Sequence, residues 1–128
     1  MVEDNRGDVD LLRHSLKEHA PKCRLIVVND GEKALKLLDE LDAGEGPCPS
    51  LVVLDLNLPK RSGREVLQRI RRSSRCGNMP VVVFSSSEAD KDKQEAAQLG
   101  ADHYLTKPSN LDAFLNIGVV LKPFIKFH

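Results

Sequence analysis

Leu51-Val52-Val53-Leu54-Asp55-Leu56-Asn57-Leu58-Pro59 is the stretch whose reading decides the fold. Leu51 to Asp55 form a strand with no polar break before the acid, the pattern of a parallel strand buried on both faces. The strand ends in a carboxylate, and a Pro-led loop, Lys60 to Gly63, hands over to a helix. In open parallel α/β sheets ligands sit outside the carboxyl ends of the strands, and Asp55 falls there. A lone buried charge costs several kcal/mol, so an acid at this position belongs at the rim or in a pair.

Outward from that strand, apolar runs alternate with helix-period segments, which argues for an α/β fold with a parallel sheet. Met1-Val2 is all that precedes Glu3-Asp4-Asn5. Asn5 caps a helix with Asp8 in its first turn, where an acid suits the helix dipole. Val9, Leu12, Leu16 and Ala20 share one face of it, and Pro21 stops it. Leu25 to Val28 reads as a buried strand, followed by a helix from about Glu32 to Leu41. The Gly- and Pro-rich segment from Ala43 to Ser50 is a surface connection. After the central strand a helix from about Gly63 to Arg72 buries Val66, Leu67 and Ile70, and Arg64, Arg69, Arg71 and Arg72 read as a solvated face.

Pro80 to Phe84 is another buried strand, ending in Ser85-Ser86-Ser87. Ser87, with Asp90 three residues later, reads as a cap on a helix to about Leu99. That helix can bury only Ala89, Ala96, Ala97 and Leu99, so weak attachment is expected. His103 to Thr106 is the last strand, followed by Lys107-Pro108. A final helix is expected from Asn110 towards Phe127. It carries two apolar stripes: Leu111, Phe114, Leu115, Leu121 and Ile125 on one, Ile117, Val120, Phe124 and Phe127 on the other. Two stripes exceed what one core-facing side needs. Association through Ile117, Val120, Phe124 and Phe127 is therefore expected, with a bend at Pro123 as the competing explanation.

The 128 residues suit one domain with a core of its own. Nineteen basic and nineteen acidic residues give no net charge, which disfavours nucleic acid and anionic membrane as partners. No apolar run approaches the roughly 20 residues that span a bilayer. Cys23, Cys48 and Cys76 are too few and too scattered for a disulfide framework and have no zinc spacing, which favours a reducing cytosol. His14, His19, His103 and His128 lack ligand spacing.

The strand ends carry Glu3-Asp4, Asp55, Ser85 and Lys107. The strand order that would gather them is not fixed by pattern alone, but their chemistry is informative. Three carboxylates and a carbonyl make a hard-oxygen site of the kind Mg²⁺ takes at about 2.0–2.1 Å. A carboxylate can act as a nucleophile, and phosphoryl transfer needs mainly positioning and charge cancellation, which a lysine and a hydroxyl can supply.

Four segments carry a family resemblance: Val2-Glu3-Asp4-Asn5; Leu54 to Pro59 with Gly63; Val83 to Ser87; and Leu105-Thr106-Lys107-Pro108. In their order and spacing the chain resembles a response-regulator receiver domain of two-component signalling over its whole length. The loop Asn57 to Lys60 and the long Gly/Pro segment before the central strand are most similar to stand-alone regulators that partner bacterial phytochrome-type histidine kinases. The resemblance implies a flavodoxin-like (βα)5 doubly wound sheet of order 2-1-3-4-5, its first strand cut to a stub, as a single receiver domain over 1–128 with no output domain. It implies Asp55 as phosphoacceptor from a sensor histidine kinase, and Mg²⁺ held by Glu3, Asp4, Asp55 and the backbone carbonyl of Asn57. Ser85 and Tyr104 would be the switch pair, Lys107 the partner of the phosphoryl charge, and the Lys107–Pro108 bond cis. Asn57 and Ser87 would tune hydrolysis. The signal would leave through the face of the fourth helix, fifth strand and last helix, to a partner or a homodimer. The chain would be no enzyme beyond Mg²⁺-dependent self-phosphorylation and self-dephosphorylation, and cytoplasmic.

The two-residue lead breaks the family's pattern, since receiver domains begin with several apolar residues. A stub leaves backbone groups of neighbouring strands unpaired, at about 1–3 kcal/mol for each one buried. It also brings the terminal amine towards Glu3, where its charge would compete with Mg²⁺. A marginally stable domain, or one completed by another chain, is expected. Two rivals remain: a module that keeps the fold without phosphorylation, and a Mg²⁺-dependent phosphatase with an aspartyl nucleophile. The phosphatase ranks low, because it wants a second acid two residues after the nucleophile and Asn57 stands there.

Overall fold

The computed structural model of the chain describes residues 1–58 and 60–125. Three parallel strands, β1 (Val52–Leu54), β2 (Val81–Ser85) and β3 (His103–Thr106), pair in that order, Val52 opposite Val81 and Val82 opposite His103. Val2 adds one more row, bridging in parallel to Leu54 on one side and Val28 on the other. Read across the sheet, the order is Val28, Val2, β1, β2, β3, which is the expected 2-1-3-4-5 winding with a stub at its second place.

The stub has a cost that falls on its neighbour. The expected strand Leu25–Val28 is not a strand: only Val28 is bridged, and Ile26 is 59% exposed. A strand edge next to a two-residue partner has nothing to pair with below that partner. The terminal amine departs from expectation too. It donates to the carbonyl of Ile26 at 2.8 Å, and burial pulls its pKa down to about 6, so its charge is largely absent at neutral pH.

The helices α1 (Arg6–His19), α2 (Gly31–Asp42), α3 (Gly63–Arg71) and α4 (Asp90–Gln98) flank the sheet, together with a broken final helix. The first three start at side-chain caps, with Asn5 accepting from the amide of Asp8, Asp30 from that of Lys33 and Ser62 from that of Glu65. Val81 and Val83 face a core with Leu38, Leu41, Val66, Leu67 and Ile70, while Val82 and Phe84 face another with Leu12, Leu16, Phe114, Ile117 and Leu121. Alternate residues of β2 thus serve opposite layers, the reason its run has no polar break.

The final helix is broken. α5 (Leu111–Leu115) and α6 (Ile117–Leu121) meet at Asn116, and a 3-10 turn over Lys122–Phe124 holds Pro123. Ser15 explains the close fit: its buried hydroxyl donates to the carbonyl of Leu115 and accepts from the amide of Gly118. A Cβ at Gly118 would meet the Ser15 carbonyl at 2.7 Å. The break rearranges the expected stripes. Ile117 belongs to the chain's own core, Phe124 stacks on His103, Val120 is exposed, and Phe127 lies outside the described residues. Leu111, Val119 and Val120 are what remain open to solvent.

Two further expectations fail. The arginines of α3 are not a plain solvated face. Arg69 pairs with Asp39 and Asp42, Arg64 with Asp92 and Glu95, and Arg71 donates to the carbonyls of Gly77, Met79 and Gly100. Cys48 and Cys76 are bonded, their Cα atoms 5.6 Å apart, which pins the Gly/Pro segment to the turn after α3. Spacing in sequence carried no hint of this, because the two cysteines meet only once α2 and α3 are packed. At a sequence separation of 28, reduction or Cys76→Ser should lower the unfolding free energy by about 2–4 kcal/mol in urea titrations. Unchanged stability, or two reactive thiols at these positions without reductant, would contradict the pairing.

Candidate functional site

Asp55 is the first residue past β1, and its backbone decides what stands beside it. Its amide donates to the Val2 carbonyl at 3.0 Å, and the Val2 amide donates to the Val53 carbonyl at 2.8 Å. Glu3 in turn donates its amide to Val28 at 3.0 Å. Those bonds set Glu3 and Asp4 next to Asp55, and one carboxylate oxygen from each of the three lies within 4.8 Å of the others. Glu3 and Asp55 are buried, and Asp4 is exposed. Gly63 closes the far side: any Cβ there would strike the carbonyl of Asp55, so the helix α3 can start this close only on glycine.

Lys107 follows β3 and reaches into the acids. Its Nζ lies 2.7 Å from Glu3 Oε1, 2.8 Å from Asp8 Oδ2 and 3.4 Å from Asp55 Oδ2. Burial alone would lower the pKa of this amine, but the bonds to Asp8 and Glu3 and the charge of Asp55 hold it above the usual lysine range. Glu3 shows the opposite balance. Burial and then the neighbouring Asp55 carboxylate raise its pKa to about 7, against the pull of Lys107. The Glu3–Lys107 contact is close but poorly aligned, and the buried Oε1 accepts no hydrogen bond among the described residues. Three carboxylates around one amine, with Asp4 beside two of them and one Glu3 oxygen left without a donor, fit a divalent cation bound through oxygen.

The remaining expected residues are distributed around this cluster. The amide of Asn57 donates to Asp55 Oδ1 at 3.0 Å, and its side chain is exposed. Ser85, buried at the end of β2, accepts from the amide of Ser87 at 3.2 Å, and its carbonyl accepts from the Lys107 amide at 2.7 Å. Tyr104 is half-buried and donates its hydroxyl to the Ser87 carbonyl at 2.9 Å. Ser87 does not cap α4 as expected. Ala89 holds the cap position without a side-chain bond, while the Ser87 hydroxyl accepts from the Ala89 amide and donates to Asp92. The Lys107–Pro108 bond is trans, against the cis geometry the resemblance implies. Lys107 reaches all three of its carboxylates from the trans backbone, the form that is ordinarily preferred.

Asp8 is the residue that sequence reasoning missed. It reads as a first-turn acid, and the dipole argument accounts for it fully. Its position one turn after the acidic pair, on a helix leaving the same sheet edge, was the available signal.

A parallel sheet with an aspartate at the tip of its central strand, two acids and a lysine converging on it, defines a receiver domain. The family model for the response regulator receiver domain matches residues 1–117, and the chain belongs to that family, the response regulators of two-component signalling. Among curated relatives it is 38% identical over 112 residues to the response regulator Rcp1 of Synechocystis sp. (strain ATCC 27184 / PCC 6803 / Kazusa), covering 87% of this chain and 76% of that protein. Among solved structures it resembles the phosphorylated cyanobacterial phytochrome response regulator RcpA, with a TM-score of 0.87 at 33% identity over 96% of this chain and 89% of that one. The Mn(2+)-bound form of Rcp1 superposes with a TM-score of 0.84 at 35% identity, over 96% of this chain and 89% of that one. No helix among the described residues is long and apolar enough to cross a membrane.

Because Lys107 is the cation that meets buried Glu3 among the described residues, removing it should be expensive. Lys107→Met should lower stability in urea by about 3–5 kcal/mol, the range for stripping a buried charge of its partner. A loss below about 1 kcal/mol, typical of exposed pairs, would show that the amine is not engaged.

Proposed function

We propose that the chain receives a phosphoryl group on Asp55 from the phosphohistidine of a sensor histidine kinase, of phytochrome type, and passes the signal on by rearranging its α4–β3–α5 face. The observation that carries this reading is the convergence of Glu3, Asp4 and Asp55 within 4.8 Å, with Lys107 reaching the same carboxylates. Mg²⁺ is the proposed cation, held by Glu3, Asp4, Asp55 and the Asn57 carbonyl. It would supply charge cancellation between the carboxylates and the incoming phosphoryl oxygens. Asp55 forms the new P–O bond as the P–N bond to the histidine breaks, and Lys107 balances the charge that arrives. Apart from this self-phosphorylation and its hydrolysis, we propose no catalytic turnover.

The switch would run through β2 and β3. Ser85 loses its bond to the Ser87 amide when its hydroxyl turns to a phosphoryl oxygen, and Tyr104, bonded to the Ser87 carbonyl, follows the loop. α4 is suited to move, since Ala96 is its one buried residue, but Arg64 must release or carry Asp92 and Glu95 when it does. Asn57, whose amide bonds Asp55, and Ser87, whose amide bonds Ser85, are proposed to set how fast water removes the mark. Exposed Leu111, Val119 and Val120 support a contact with a partner or with a second copy. The phosphohistidine donor is made from nucleotide triphosphate, which puts the reading in the cytoplasm. The Cys48–Cys76 bond is the observation that stands against a strongly reducing compartment.

Incubation with acetyl phosphate and MgCl₂ should add one phosphoryl group to the intact mass, and Asp55→Asn should abolish it. Chelation should slow its formation by about a hundred-fold or more. Sedimentation of the same samples reads any shift towards dimer. No adduct on the unaltered chain would favour a module that keeps the fold without phosphorylation, and an adduct surviving in Asp55→Asn would remove Asp55 from the chemistry.

A further inference from the structure

Lys107 has three carboxylate partners, and they are not equivalent. Its Nζ meets Glu3 Oε1 at 2.7 Å, Asp8 Oδ2 at 2.8 Å and Asp55 Oδ2 at 3.4 Å. Glu3 and Asp55 also belong, with Asp4, to the three acids whose oxygens lie within 4.8 Å of one another, a group that does not include Asp8. Asp8 comes from the first turn of α1, where its amide is bonded to Asn5 Oδ1 and its side chain crosses to the segment after β3. The Asp8 and Lys107 side chains are only 17% and 14% exposed, so solvent screens this pair far less than a surface ion pair. The other neighbour of the amine is the ring of Phe84, 5.7 Å away, which carries no full charge.

A divalent cation held by Glu3, Asp4 and Asp55 would draw the lone pairs of Glu3 and Asp55 to itself and set a like charge beside the lysine. Asp8 is then the carboxylate that Lys107 does not have to share. We propose that Asp8 is the positioning residue that keeps Lys107 in the site once a divalent cation has engaged Glu3 and Asp55. This role rests on the reading of Asp55 as phosphoacceptor, and deepens it. Cation and ammonium occupy one cluster because each keeps a negative partner of its own, and the amine stays where arriving phosphoryl charge needs it. With residue 8 neutral, a loaded site would leave the ammonium half-buried and unpaired, and it would swing out to water, where a lone charge is cheaper.

The test follows the exposure of the amine instead of phosphorylation. The whole chain is treated with the N-hydroxysuccinimide ester of acetic acid, with and without MgCl₂, and acetylation of Lys107 is timed by peptide mass. Exposed Lys33 and Lys60 serve as internal standards. In the unaltered chain Lys107 should react slowly under both conditions. In Asp8→Asn, MgCl₂ should speed its acetylation by about ten-fold or more, the scale of a lost charge-assisted hydrogen bond. Asp8→Glu should restore the slow reaction. The helix cap uses the amide of residue 8, so these variants leave it in place; a melting curve confirms folding, and Asp8→Ser repeats the measurement. Equal acetylation of Asp8→Asn with and without MgCl₂ would overturn the proposal, and so would an equal MgCl₂ effect in the unaltered chain. Acetyl phosphate on the same samples separates the two readings. An adduct on Asp55 without Mg²⁺-dependent release of Lys107 in Asp8→Asn removes the anchor alone, and release without any adduct on the unaltered chain removes the signalling reading alone.

Discussion

A single residue, Val2, holds this molecule's site together. Its amide and carbonyl reach β1, and the backbone on either side of it reaches Val28, so one row of parallel pairing joins the acidic pair to the strand that ends in Asp55. Two consequences follow from so short a join. The carboxylates are set where a full strand would set them, because only the last row of that strand fixes Glu3 and Asp4. Beside that row, residues 24–27 are hydrogen-bonded only through the terminal amine's bond to the Ile26 carbonyl among the described contacts; they stay irregular, and a cavity lies beneath them.

Electrostatics at the top of the sheet compensate one another. Glu3 is nearly inaccessible and shares its surroundings with Asp55, so burial and a like charge both push its proton affinity up. Lys107 opposes that, and Asp8 anchors the lysine from the first turn of α1. The result is a cluster rich in negative charge with one internal counterion among the described residues, in which the proposed cation and phosphoryl group would enter by replacing repulsion rather than by displacing packed side chains. The elements proposed to switch are tied by few bonds among the described residues: Tyr104 to Ser87, Ser87 to Asp92, and Arg64 to α4. Sparse, polar attachments of that kind are what allow an element to hold two positions.

Much of the fold was legible in the sequence, for identifiable reasons. Continuous apolar runs marked β1 and β2 because both faces of each are buried, and Asn5 stands where capping requires an acceptor, whereas Ser87, read the same way, yields the cap position to Ala89. The site's acids and lysine were legible because strand ends deliver them. What the sequence hid depends on tertiary contact. Leu25 to Val28 has a strand's composition but no partner to pair with. Ile117 has an interface residue's spacing, yet the break at Asn116 turns it inward against α1. The roles of Asp8 and Ser15, and the meeting of Cys48 with Cys76, require knowing which elements touch.

The most direct test of the account is crystallographic: the chain crystallised with MnCl₂ and measured at the manganese absorption edge. If the stub positions the acids as described, an anomalous peak will stand among the carboxylates of Glu3, Asp4 and Asp55. A well-ordered site with the three side chains turned away from one another, and no peak between them, would contradict it.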